Sequence, residues 1–233
     1  MNAKGNIWLA VGKRNVGKTY TALQLANEFS VRESVRKHIL VYDHTNNSSY
    51  NTHNLIPLTL EQIIYLLPLQ EEPIRGIVRG VEIDEFCEAV THYVRTSSIL
   101  FDDCGVLFRG NLTIAREKLL KTPKNNGNEL IFQAHSIREI APALLEQANM
   151  YILKQTVDDP ENLPQKLIAR REIGHLLTEV IRENYTLESN QKWATRIYDT
   201  EDDEIWIPDG SGDFTIHRGE DYFPFSYKNK YLQ

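Results

Sequence analysis

Gly12-Lys13-Arg14-Asn15-Val16-Gly17-Lys18-Thr19 is the stretch whose reading decides the fold. It matches G-x-x-x-x-G-K-[ST] at every specified position, and its flanks are the required ones. Before it, Asn6 to Val11 is an apolar run that predicts a buried strand. After it, Thr19 to Phe29 sets Ala22, Leu25, Ala26 and Phe29 on one face of a helix. Gly12 and Gly17 permit backbone angles and close approaches that a side chain would block. Between strand and helix, successive backbone N–H groups then form an anion nest at a helix N-terminus, so the whole run is expected to wrap a polyphosphate. Lys18 sets a point charge against the β- and γ-phosphates, and the Thr19 hydroxyl is a magnesium ligand. ATP and Mg2+ are the cofactors this chemistry implies.

Outward from the loop, short apolar runs alternate with amphipathic ones. Lys37–Tyr42, Gly76–Val81, Ser97–Phe101, Asn128–Phe132 and Met150–Lys154 read as strands. Leu60–Leu67, Ile83–Val94, Leu112–Leu120 and Ile137–Ala148 read as helices, and the Asn- and Ser-rich segment His44–His53 as a loop. The alternation predicts an α/β fold with a mostly parallel central sheet and helices on both faces. Val157–Pro164 is a plausible break. It divides an ATPase core at residues 1–157 from a C-terminal extension at 158–233. The extension begins with a long helix over Gln165–Tyr185 and continues with strand-like pieces at Ala194–Tyr198 and Glu204–Ile207 around the polar turn Pro208–Gly212. Its position on the sheet is not fixed by the pattern.

A phosphate loop needs a carboxylate at the end of another buried strand to hold the magnesium through its water shell. Ser97 to Phe101 ends in Asp102 and Asp103. Asp102 is assigned to the metal and Asp103 to positioning or deprotonating the attacking water. Ile83-Asp84-Glu85 is the competing acidic pair. Glu82 interrupts its strand and a helix pattern starts at once, so Asp84 reads as a helix cap. Two adjacent acids suit a hydrolase that activates water better than a kinase that positions a second substrate. The strand Glu129 to Phe132 ends in Gln133, an amide able to bond the γ-phosphate or the attacking water. Catalytic work is therefore expected of Lys18, Asp103 and Gln133. His135 reads as a polar loop residue, and no His/Cys spacing resembles a metal site.

The order GKRNVGKT, ILFDD, KTPKNNGN, LIFQAH and the helix IREIAPALLEQA resembles the HerA–FtsK group of P-loop ATPases, the additional-strand class of the RecA-like fold. It looks most like that group's small phage members. These are the genome-packaging ATPases of tailless, membrane-containing viruses and the zonula-occludens-toxin-like assembly ATPases of filamentous phages. The resemblance spans roughly residues 6 to 155. It implies that the Gln133 strand lies between the phosphate-loop strand and the Asp102 strand. It also implies a homo-oligomeric ring, usually a hexamer, that moves DNA through its centre by hydrolysing ATP. Two departures stand out. Asp103 replaces the usual Glu and is one methylene shorter. The turn before the Gln strand often carries an Arg that reaches a neighbour's nucleotide, whereas Lys121 and Lys124 stand there in this chain. Arg109, Arg116 and Arg138 are the other candidates for that trans-acting cation. The rival readings are a zonula-occludens-toxin-like phage assembly ATPase, an ATP-gated assembly protein that binds nucleotide but barely hydrolyses it, and a small-molecule kinase with Arg170-Arg171 as a lid.

The bulk properties fit. The 233 residues are 41% apolar and 25% charged, which excludes wholesale disorder and coiled coil. Two cysteines, Cys87 and Cys104, point to a reducing compartment. The most apolar window, Leu55–Leu69, is too short and polar to span a bilayer, and Met1–Ser30 has no signal-peptide pattern. The host cytoplasm, or a virion if the source is viral, is the expected location. The net charge of −6 sits wholly in Tyr198–Gln233, where nine acids face three bases, so no broad basic surface offers itself to duplex DNA. That segment also carries Trp206, Phe214, Tyr222, Phe223, Phe225, Tyr227 and Tyr231. Acidic solubilising tails are aromatic-poor, so this one is expected to dock, either on its own core or on a capsid or membrane protein.

Overall fold

A computed structural model describes residues 5–32, 38–188, 193–209 and 213–224. Ten strands form one sheet: β1 (Ile7–Val11), β2 (His38–Tyr42), β3 (Ile56–Pro57), β4 (Arg75–Val78), β5 (Ser97–Phe101), β6 (Glu129–Ala134), β7 (Met150–Leu153), β8 (Arg196–Asp199), β9 (Glu204–Pro208) and β10 (Phe214–Arg218). Their order across the sheet is β10-β9-β8-β7-β1-β6-β5-β2-β4-β3. The seven strands from β7 to β3 are mutually parallel; β8, β9 and β10 are added antiparallel. The helices are α1 (Lys18–Arg32), α2 (Ile83–Tyr93), α3 (Cys104–Leu107), α4 (Ile114–Lys121), α5 (Pro123–Asn126), α6 (Pro142–Leu145), α7 (Arg170–Thr186) and α8 (Gly219–Tyr222).

The central strands are apolar on both faces because both faces are covered. Successive residues of β1 alternate between two cores: Leu9 and Val11 join one, Trp8 and Ala10 the other. The larger core centres on Phe101 and Phe132, stacked with centroids 4.7 Å apart, with Phe108 set edge-on to both. The smaller core lies under α1, where Ala22, Leu23, Leu25 and Ala26 are buried. The Phe29 side chain and Lys37 lie outside the described residues.

Several elements differ from the sequence reading. Ile137–Ala148 is not one helix. Ile140 and Ala141 are extended and Pro142 opens α6, because the residue before a proline is pushed out of the helical region. Leu60–Leu67 is helical throughout but irregular: after Leu60 and Glu61 comes a π-helical turn at Gln62–Leu66, followed by a 3-10 turn through Pro68. The strand expected at Gly76–Val81 ends at Val78, and Gly80 turns the chain with φ +67°. The long helix of the extension starts five residues later than expected, after Ala169 in the left-handed region. Asp84 is in the first turn of α2 but does not cap it. Glu82 holds the cap position, and Asp84 accepts from Thr113 Oγ1 and Arg116 Nε instead.

The extension continues the sheet. β8 pairs with β7 in the register Tyr151↔Tyr198 and Ile152↔Ile197. Tyr198, Ile205 and Phe223 belong to the larger core, and Trp206 sits edge-on to Trp8 at 6.3 Å. α7 covers β7 and β8. Phe225, Tyr227, Tyr231 and the turn residues 210–212 lie outside the described residues.

Candidate active site

The exit of β1 places Gly12–Thr19 at the carboxyl end of the parallel strands, where open α/β sheets bind ligands. Asn15 and Gly17 take positive φ, 62° and 79°, which turns consecutive N–H groups inward into the nest. Gly12 is needed for a different reason. A Cβ there would lie 2.9 Å from both Lys154 Cβ and Val16 Cγ2. Val16 is buried, while Lys13, Arg14 and Asn15 are exposed along the rim.

Lys18 begins α1 and folds back under the loop. Its Nζ donates to the carbonyls of Gly12 and Lys13, the latter at 2.9 Å, and lies 3.3 Å from His135 Nδ1. Burial pulls its pKa from near 10.5 to about 8, opposed by Asp102 and Asp103. It remains a cation at neutral pH, with a weakened hold on its proton.

The strand order brings the remaining groups in. β6 lies between β1 and β5, as the resemblance implied, so Gln133 stands beside Ala10 and its strand borders the one ending in Asp102. Gln133 is 1% exposed; its Oε1 accepts from Thr19 Oγ1 at 3.1 Å, and its Nε2 is buried with no partner among the described residues. Gln133 lines the same cleft as Lys18 and Thr19. Asp102 is 6% exposed, and burial raises its pKa. Asn47 Nδ2 donates to its Oδ2 at 3.1 Å, holding the carboxylate in place. Asp103 occupies the N-cap position of α3 without a capping bond, at φ 49° and ψ 52°, a left-handed conformation that Asp tolerates better than most residues, and it lines the same cleft.

The cleft measures about 620 Å3, within the range of small-molecule sites. One wall was not foreseen. Thr45, Asn47, Ser49 and His53, all from the segment read only as a loop, line it opposite the phosphate loop. Asp43 organises that wall. Fully buried at the end of β2, it accepts from Thr45 N, Thr45 Oγ1 and Asn47 N, and pairs with Arg79 at 2.8 Å. The available signal was Asp43 itself, an acid closing an apolar strand at the ligand end of the sheet. His135 also lines the cleft, more intimately than its sequence reading allowed. Asp158 fixes its turn by accepting from Ser136 Oγ, Ile137 N and Thr156 Oγ1 at 2.6–2.8 Å.

The donor set suits a magnesium ion. Thr19 and Asp102 face one cleft beside a phosphate nest, and phosphate oxygens and water complete such a shell. Among the described residues no cluster of three His, Cys, Asp or Glu forms a separate metal site.

The candidate trans-acting cations are dispersed. Arg116 is tied to Asp84 at 2.7 Å and to the Leu107 carbonyl. Arg138 donates to the Asn162 carbonyl. Lys121 pairs with Glu117, and Lys124 with Glu201 at 2.7 Å. These two lysines precede β6 and so lie at the end of the sheet opposite the chain's own phosphate loop. Arg109 is exposed and makes no bond among the described residues.

No protein-family model and no curated protein matches this chain. Solved structures do. The genome packaging NTPase B204 from Sulfolobus turreted icosahedral virus 2, in complex with ATP-gammaS, aligns at TM-score 0.58 and 21% identity, covering 94% of this chain and 98% of that one. B204, the DNA-packaging ATPase from Sulfolobus Turreted Icosahedral Virus, aligns at TM-score 0.54 and 18% identity, with coverage of 94% and 98%. The N-terminal domain of zonular occludens toxin from Neisseria meningitidis aligns at TM-score 0.39 and 12% identity, covering 64% of this chain and 76% of that domain. From the phosphate loop to the antiparallel extension, this chain has the P-loop NTPase fold of the B204 packaging ATPases.

Proposed function

We propose that the chain is an ATP-hydrolysing motor that moves DNA into a viral particle. The supporting observation is the convergence of Lys18, Thr19, Asp102, Asp103 and the orphan amide of Gln133 on one cleft, in a fold shared along nearly the whole chain with packaging ATPases. Lys18 and the loop amides neutralise the β- and γ-phosphates. Thr19 and Asp102 hold Mg2+, which when bound draws charge from the phosphate oxygens. Asn47 keeps Asp102 oriented. Asp103 aligns the attacking water and takes its proton as the water oxygen bonds to the γ-phosphorus and the bond to ADP breaks. Gln133 Nε2 donates to the γ-phosphate or to that water and senses which nucleotide is present.

In the assembled form, a homo-oligomeric ring with a hexamer as the expected state, Arg109 is the cation best free to reach a neighbour's nucleotide. DNA is the translocated partner. The acidic extension lies away from the DNA path, and a capsid or membrane protein is the candidate for its outer face. No helix among the described residues is long and apolar enough to cross a membrane. ATPase activity with and without duplex DNA, alongside a native mass, tests the reading. DNA-stimulated phosphate release from an oligomer, abolished by Lys18→Ala, is expected. Turnover indifferent to DNA, or phosphoryl transfer to a nucleoside or metabolite, would refute it.

A further inference from the structure

Lys154 leaves β7 on the inner side of the phosphate loop and is 3% exposed. Its backbone N–H donates to Val11 O at 2.9 Å, and Gln155 O accepts from Lys13 N at 2.8 Å. The end of β7 is thus laced to the first arm of the loop. The side chain runs beneath the loop backbone. Its Cβ is 2.9 Å from where a Cβ on Gly12 would stand, and its Nζ is 3.7 Å from the corresponding point on Gly17. Nζ donates to Thr195 Oγ1 at 2.7 Å, just before β8, and Thr195 Oγ1 in turn donates to Trp193 O at 2.7 Å.

No carboxylate pairs with this ammonium among the described residues. The charge that acts on it is Lys18, of the same sign, and burial together with Lys18 brings its pKa down to about 8. Burying an ammonium without a counter-charge is costly, and a second cation nearby adds to the cost. An apolar side chain of equal length would fill the space at no such cost. The position makes physical sense once a polyphosphate lies in the nest, because its negative charge then faces both lysines across the loop.

We propose that Lys154 is a second cation of the phosphate loop, acting on the nucleotide's phosphates from behind the loop backbone and held there by Thr195 from the antiparallel extension. It is a positioning residue: it touches the loop and not the nucleotide. The inference rests on the nucleotide-binding reading above. It also gives the extension a part in the site, since the group that anchors Lys154 comes from the start of β8.

The test compares wild type with Lys154→Met, which keeps the length and removes the charge. Binding of ATP, ADP and AMP is titrated, and the melting temperature of the nucleotide-free protein is recorded. ATP affinity is expected to fall roughly tenfold or more, the scale of one charge pair at the effective dielectric of a protein surface. The loss should shrink from ATP to ADP to AMP as ligand charge falls, while the nucleotide-free variant melts no lower than wild type. Equal losses for all three nucleotides, unchanged ATP affinity, or a lower melting temperature would each overturn the proposal, the last by showing that the ammonium serves the fold. A wild type that binds no nucleotide would instead sink the functional reading itself, so the two failures are distinguishable.

Discussion

Replacing Ile205 by alanine asks whether the extension is a separate docking module or part of the core. Ile205 lies in β9, opposite Tyr198 on one side and His217 on the other, and it is 0% exposed within the larger core. Truncation leaves a cavity lined by rigid strands, for which about 3 kcal/mol is the central expectation. For a chain of this size each kcal/mol moves the midpoint by roughly 2–4 °C, so Tm should fall by about 6–12 °C. Calorimetry should show one transition, shifted as a whole. ATP binding below the transition should be unaffected, because β8 and β7 stand between β9 and the phosphate-loop strand. Deleting Asp199–Gln233 should act more strongly in the same direction, giving aggregation or a much earlier melt. The reasoning fails if Ile205→Ala leaves Tm essentially unchanged, or if a small separate transition moves while the main one stays.

Asp103→Asn should keep ATP binding and lose turnover by about 100-fold or more, the scale of lost acid–base assistance, whereas Asp84→Asn should leave turnover intact; the reverse outcome in a phosphate-release assay would reassign the acidic strand. Arg109→Ala should bind nucleotide normally yet lose about 10³-fold in rate if that side chain completes a neighbour's site, and wild-type specific activity should rise with protein concentration. A flat concentration profile would remove the ring. The stability gap between Lys154→Met and wild type should depend on pH in a defined sense. The native pKa of Lys154 is depressed from near 10.5 to about 8, so its protonated form costs the native state about 3 kcal/mol below pH 8. That cost disappears as pH rises from about 8 to 10.5, so denaturant titrations should show the gap closing there. A gap that widened with pH would contradict the burial argument.

How far the site could be read from the sequence follows from how local each signal is. The phosphate loop is a contiguous motif whose glycines and lysine act within eight residues, and Asp102 and Gln133 each close an apolar run. The strand order that unites them was supplied by family resemblance, because periodicity says which residues form strands but not which strands are neighbours. The wall made by Thr45, Asn47 and Ser49 escaped because its order comes from Asp43 and Arg79, separated along the chain and joined only by the β2–β4 pairing. Ile137–Ala148 misled because its apolar spacing is helical while Pro142 is not. The strand-like pieces at Ala194–Tyr198 and Glu204–Ile207 were legible and correspond to β8 and β9, but their place on the sheet was not, for a third reason. The pattern of a short strand such as Arg196–Asp199 does not say which edge it joins; that is set by the open edge of β7.

The order of the strands also governs when the site can exist. β1 emerges first during synthesis, yet its only sheet neighbours are β6 and β7, and the matching contacts near its start span 123 and 142 residues of chain. Until Ala134 has left the ribosome, the strand that launches the phosphate loop has no partner on either side, and until Leu153 follows it lacks the second. The nascent chain therefore carries an unsupported, hydrophobic Ile7–Val11 until β6 follows it out. Closing such long loops is slow, so the nucleotide pocket should be among the last features to form and a natural point of chaperone dependence.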